Sequence, residues 1–186
     1  MRVGAQISHC RNEATADLTT RMQDFDSASF RNALGRFATG VTIVTTVDGE
    51  GRIFGVTANS YNSVSLDPPL VLWSLARNSR STPAFEQCEA FAIHVLSADQ
   101  EELAMRFAGR GEGDKFAGLE IREGVGGVPL FDDCAAHFEC KTENRFDGGD
   151  HIIFLGRVVN FERGDHEPLI FHDGQFARLT SKSDPS

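Results

Sequence analysis

The alternation of apolar and polar positions predicts a chain that is mostly strand, broken by a few short helices. Residues 26–40, DSASFRNALGRFATG, place Phe30, Ala33, Leu34 and Phe37 at helical spacing, with Asp26 or Ser27 as N-cap and Gly40 as a stop. The β-branched run VTIVTTV (41–47), the turn DGEG (48–51) and RIFGVT (52–57) predict a hairpin. LVLWSL (70–75) reads as a short buried strand, and Asp67-Pro68-Pro69 in front of it rules out a helix there. A short helix starts at Ser81 in STPAFEQ, and AFAIHVL (90–96) is another strand. SADQEELAMRF (97–107) reads as a helix with Ser97 as N-cap, acids in its first turn, and Leu103 and Phe107 on one face. Residues 108–133 are loop-rich; two long strands, roughly 134–146 and 151–161, follow around DGGD, and LIFHD (169–173) is the last strand. About seven strands with little βαβ alternation predict a mainly β fold, an antiparallel barrel that is closed or partly open. Polar, aperiodic residues 1–23 form an expected arm, 24–180 one domain, and 181–186 a polar tail.

Length and composition narrow the function. One domain of this size, with 40% hydrophobic and 24% charged residues, buries an ordinary core. A net charge of −9 argues against nucleic acid or an anionic membrane as partner, and any phosphate ligand must be held by local donors. No stretch approaches the roughly 18–20 apolar residues of a membrane helix, and the first residues show no apolar signal core. The four cysteines include no CxxC, so reduced thiols and a cytoplasmic location are expected. CAAHFEC offers Cys134, His137 and Cys140, but strand alternation sends His137 to the face opposite both cysteines, so no metal site is expected. The glycines at 109, 111 and 113 follow a helix and have the wrong spacing for a dinucleotide fingerprint. GxxxxGK[ST], GxSxG and HExxH do not occur.

What remains is an ordered set of pieces over residues 30–176: FRNALGRFATGVTIVTT, GVTANSYNSVSLDPPLVLWSL, ELAMRFAG, GDHIIFLGRVV and PLIFHDGQF. The set resembles the short-chain flavin reductases, NAD(P)H-dependent partners of two-component flavin monooxygenases. The resemblance implies an FMN-binding split β-barrel, antiparallel and Greek-key-like, with a few short flanking helices. It also implies FMN or FAD with NADH or NADPH as hydride donor, a homodimer, and a separate flavin-dependent monooxygenase that takes the reduced flavin.

By itself TANSYNS (57–63) reads as a solvated turn; beside the other pieces it reads as a flavin site. An isoalloxazine needs neutral hydrogen bonds to its carbonyls and ring nitrogens, and its side chain and phosphate need clustered donors. The resemblance carries flavin contact onto Thr57, Ala58, Asn59, Ser60 and Tyr61, onto Ser74, Leu75 and Ala76, and onto the following NSRS. There Arg80 offers a charged donor to phosphate and Ser81 a helix N-terminus. Phe107 and Ala108 match another flavin-side segment. His151 of the GDH matches the histidine on the nicotinamide side, where it positions the ring, while Gly149 and Asp150 shape the turn. Hydride transfer from nicotinamide C4 to flavin N5 needs no protein base, only rings held about 3–3.5 Å apart. Trp73, bulkier than the usual residue there, is expected on the face opposite Leu72 and Ser74. Rival readings are a flavin carrier or sensor without turnover, a single-component oxidase of the pyridoxamine-phosphate-oxidase kind, and a barrel without cofactor.

Overall fold

The computed structural model describes residues 26–109 and 113–179; the expected arm over 1–23 and the tail over 181–186 lie outside the described residues. In chain order the elements are α1 (Ser27–Gly35), β1 (Thr39–Gly40), β2 (Thr42–Val47), β3 (Ile53–Ala58), β4 (Asn62–Leu66) and β5 (Pro69–Ala76). Then come α2 (Thr82–Gln87), β6 (Ala90–Val95), α3 (Glu101–Ala108), β7 (Arg122–Glu123) and β8 (Pro129–Leu130). The long pair β9 (Ala136–Gly148) and β10 (His151–Arg163) precedes β11 (Ile170–His172) and β12 (Gln175–Ala177). Seven strands form one antiparallel sheet in the order β3-β2-β6-β9-β10-β5-β4, so β3 and β4 are its two edges and the sheet stays open between them.

The two hairpins follow their local chemistry. β2 pairs with β3 from Thr42↔Ala58 to Val47↔Ile53. Asp48 closes that turn by accepting from the N–H groups of Glu50 and Arg52, both at 2.9 Å, and Gly51 takes φ +80. β9 and β10 turn at Gly149, φ +77, through the sequence DGGD.

The core has two main parts. Around Trp73 pack Phe85, Phe91, Ile93, Ile152 and Phe154, and the indole stacks on Phe154 with centroids 4.8 Å apart. As expected, alternation in β5 buries Val71, Trp73 and Leu75 on one face and leaves Leu72, Ser74 and Ala76 half-buried on the other. The second part joins Ile43, Leu96, Phe107, Phe116, Phe131 and Leu169. Arg145 donates to the carbonyls of Phe85 and Cys88 at the C-terminal end of α2, fixing that helix over the first core. Burial pushes the thiols of Cys134 and Cys140 up to about 12, which leaves them uncharged and inert.

Two helices depart from the pattern. The 97–107 helix begins only at Glu101: Ser97 pairs with Pro168 as a bridge, and its N–H donates to the Gln100 side chain at 2.9 Å. Ser97 therefore belongs to a sheet contact and cannot cap the helix. Helix α1 is capped by Asp26, whose carboxylate accepts from Ser29 N–H at 2.8 Å, but it ends at Gly35 and buries none of its residues. Phe37 lies beyond it, because the chain turns out of the helix at Arg36 to pair Thr39 with Phe171. Strand β4 was not expected; the polar run NSVSL pairs with β5 from Asn62↔Leu72 to Leu66↔Pro69.

Candidate active site

A cavity of about 780 Å³ opens along the free edge of β3, within the usual range for small-molecule sites. Every residue of β3 lines it. An edge strand leaves alternate N–H and C=O groups without a sheet partner, so this wall offers neutral donors and acceptors in a row. Beyond the strand the lining continues through Asn59 and Ser60 to Ser74, Leu75 and Ala76 at the end of β5.

Two hydroxyls of this wall are already engaged. Ser60 Oγ donates to Ser74 O at 3.0 Å and accepts from Ser74 N–H at 2.9 Å, which stitches the segment after β3 onto β5. Thr57 Oγ1 donates to Ala104 O at 2.6 Å and ties β3 to α3. These two side chains hold the wall in place. Tyr61 is not among the lining residues. Its ring turns toward the core and stacks on Phe138 with centroids 5.7 Å apart, and burial raises its phenol above the ordinary value.

Asn78, Ser79, Arg80 and Ser81 form the next stretch of wall. The six-residue helix after them has no spare amide in its first turn. Ser81 N–H donates to Ser79 Oγ, Thr82 N–H to Ser79 O at 3.1 Å and Ala84 N–H to Ser81 O at 3.1 Å, while Pro83 has no N–H. The helix-terminus role expected at Ser81 therefore falls back on its side chain.

Lining the same cavity as Arg80 is a residue that sequence reasoning missed, Lys115. Burial and then the Arg80 guanidinium hold its pKa below the ordinary lysine value, so the two cations share one region of the cavity. Lys115 Nζ donates to Phe107 O at 2.8 Å, at the C-terminal end of α3. Its neighbour Asp114 also lines the cavity, with Oδ1 accepting from Phe116 N–H at 2.8 Å. In a chain of net charge −9 such a local cation pair is what a phosphate requires.

The floor is aromatic. Phe107 is fully buried beneath Gly55 and meets Phe116 edge-on, with centroids 4.9 Å apart; Ala108 lines the cavity beside it. A Cβ at Gly55 would fall 2.4 Å from Phe107 Cε1, so the close approach of β3 to this floor demands glycine. His151, first residue of β10, completes the lining, its Nδ1 2.8 Å from Asp150 Oδ1. The cavity thus gathers Thr57, Ala58, Asn59, Ser60, Ser74, Leu75, Ala76, Arg80, Ser81, Phe107, Ala108 and His151, and it leaves Tyr61 aside. Lys115 sits in the local run GDKF, a basic residue just past a loop, and Gly55 in RIFGVT; neither carries a mark in one sequence that separates it from an ordinary turn or strand.

A neutral strand edge, an apolar floor and a cation pair match the three parts of a flavin nucleotide: its polar ring edge, its ring face and its phosphate. The chain is 49% identical to the NADH-dependent FMN reductase SmoA of Agrobacterium fabrum over 83% of its length and 87% of the relative's. It is 39% identical to HsaB, the reductase subunit of a flavin-dependent monooxygenase in Rhodococcus jostii, over 90% of this chain and 86% of that one. Among solved structures, the NADH:FAD oxidoreductase SgcE6 of Streptomyces globisporus, in complex with NAD and FAD fragments, superposes with a TM-score of 0.80 at 37% identity, covering 86% of this chain and 96% of that chain. With the flavin reductase like domain matched over residues 34–180, the chain belongs to that family.

Proposed function

We propose that this protein uses NADH or NADPH to reduce FMN or FAD, and that the reduced flavin leaves for a separate flavin-dependent monooxygenase. The observation that carries the reading is the convergence, in one cavity, of the free β3 edge, the Arg80–Lys115 pair and His151. When bound, the flavin supplies the hydride acceptor. The backbone of residues 57–60 holds its polar ring edge, Arg80, Lys115 and Ser81 hold phosphate, and the Phe107 floor keeps water from the ring. His151 positions the nicotinamide and transfers no proton. This division of work uses binding groups only, as hydride transfer between two rings demands.

A homodimer is part of the same proposal. Val64 and Leu66 on β4, with Val159 and Phe161 at the far end of β10, are exposed on strands that flank β5, and Leu66 is 95% exposed. Exposed apolar side chains on neighbouring strands suit a subunit contact. A cytoplasmic location fits the buried free thiols Cys88, Cys134 and Cys140 among the described residues. Among the described residues no helix is long and apolar enough to cross a membrane.

The test is NADH oxidation in air by the purified chain without flavin, then with FMN, then with FAD, and the same with NADPH. Strong flavin-dependent turnover is expected. Bound flavin that never turns over with either nucleotide would instead make the protein a redox carrier or sensor.

A further inference from the structure

The β9–β10 turn is braced from outside more firmly than an exposed hairpin needs. Arg77, the residue after β5, donates from Nε to Gly149 O at 2.9 Å and from its guanidinium to Asp147 Oδ1 at 3.1 Å. Its backbone N–H donates to Asp150 O at 2.9 Å. The same Asp147 oxygen accepts from Gly149 N–H at 2.9 Å. Together with the His151↔Ala76 pairing, these bonds fix the backbone of Asp150 and His151.

On that frame the Asp150 carboxylate meets His151 Nδ1 at 2.8 Å. Asp150 is not among the residues that line the candidate active site and its side chain is 93% exposed, whereas His151 lines it. The hydrogen bond from His151, then its charge, holds the Asp150 carboxyl below the ordinary carboxylate range, so it is an acceptor alone at neutral pH. A carboxylate has no proton to give. Nδ1 must therefore carry the hydrogen, and in the uncharged imidazole that leaves Nε2 as the acceptor.

We propose that Asp150 is a positioning residue: it fixes His151 in the Nδ1–H tautomer, so that Nε2 accepts from the carboxamide N–H of the nicotinamide donor. This rests on the reading of His151 as the nicotinamide-side residue. It gives Asp150 a task beyond shaping the turn, and it explains why the turn is braced at both the Gly149 and the Asp150 carbonyls.

Asp150→Asn keeps the shape but can accept or donate, and so no longer imposes a tautomer. Nitrogen-15 imidazole spectra of the full chain, recorded without NADH, are expected to show His151 as Nδ1–H in the wild type and as a mixture with Nε2–H in Asp150→Asn. In steady state the variant's KM for NADH should rise about two- to fivefold, the scale of an exposed charged hydrogen bond, with kcat at saturating NADH unchanged. An Nε2–H ring in the wild type, or spectra and KM identical in the variant, overturns the proposal. His151→Ala separates the two readings. A KM for NADH that it leaves unchanged refutes the nicotinamide placement and with it the proposal, while the spectra still report whether Asp150 holds the ring.

Discussion

Replacing Gly55 by alanine tests how closely β3 is fitted to the cavity floor. The added Cβ would lie 2.4 and 2.6 Å from Phe107 Cε1 and Cδ1 and 3.1 Å from Phe116 Cζ. All three distances are inside the carbon contact optimum of about 3.5–4.0 Å. Phe107 is hemmed in on its core side: it is fully buried, with Phe116 at 4.9 Å and Phe131 at 5.4 Å between centroids. Either β3 moves away or the rings move into the cavity. Overpacking of this kind costs about 1–3 kcal/mol, offset by about 0.5–1 kcal/mol because alanine suits a strand better than glycine. A net loss of about 1–2 kcal/mol lowers Tm by about 2–8 °C in a domain of this length. Thermal unfolding followed by circular dichroism, without flavin, reads that term. Quenching of FMN fluorescence reads the second consequence: about tenfold weaker binding, or 1.4 kcal/mol, because the moved edge is the wall on which the ring is held. A Gly55→Ala protein with wild-type Tm and wild-type quenching would refute both the packing argument and the place given to β3.

Lys115→Met should weaken FMN about tenfold and leave riboflavin nearly unchanged, since a charged hydrogen bond to phosphate is worth about 1.5–3 kcal/mol; equal losses for both ligands would remove the phosphate role. His94 supplies a pH dependence. Burial, against the hydrogen bond to Ile43 O at 3.1 Å, pushes its pKa down to about 3. The unfolded chain, with an imidazole near 6.5, takes the proton first, so this contribution is complete above about pH 6.5 and is lost as pH falls toward 3. At about pH 5 the loss is about 2 kcal/mol at 1.36 kcal/mol per unit. Urea unfolding of wild type and His94→Asn should therefore converge between about pH 6.5 and 5, whereas parallel curves would show that His94 is not held neutral. Ser60→Ala orphans Ser74 N–H and C=O together and should cost about 1–3 kcal/mol in urea; an unchanged midpoint would mean that the stitch onto β5 is not needed.

How much of this was legible in the chain depends on how local the cause is. The β2–β3 and β9–β10 hairpins were legible because turn glycines and β-branched runs sit side by side, and Trp73 was placed by alternation alone. Ser97 misled because its backbone partner, Pro168, lies far along the chain. The α1 stripe Phe30, Ala33, Leu34 has helical spacing, yet the helix buries none of its residues. TANSYNS was singled out for its hydroxyls, but Thr57 and Ser60 spend theirs on Ala104 and Ser74, contacts that pairing across the sheet creates. Lys115 and Arg80 reach one cavity only after the chain has folded back past α3.

The claim that the free edge of β3 and the Arg80–Lys115 pair bind flavin is tested most directly by a crystal structure with FMN. The account predicts the ring edge against the backbone of residues 57–60 and the phosphate at Arg80 and Lys115. A flavin bound elsewhere, or one whose phosphate lies away from both cations, would contradict it.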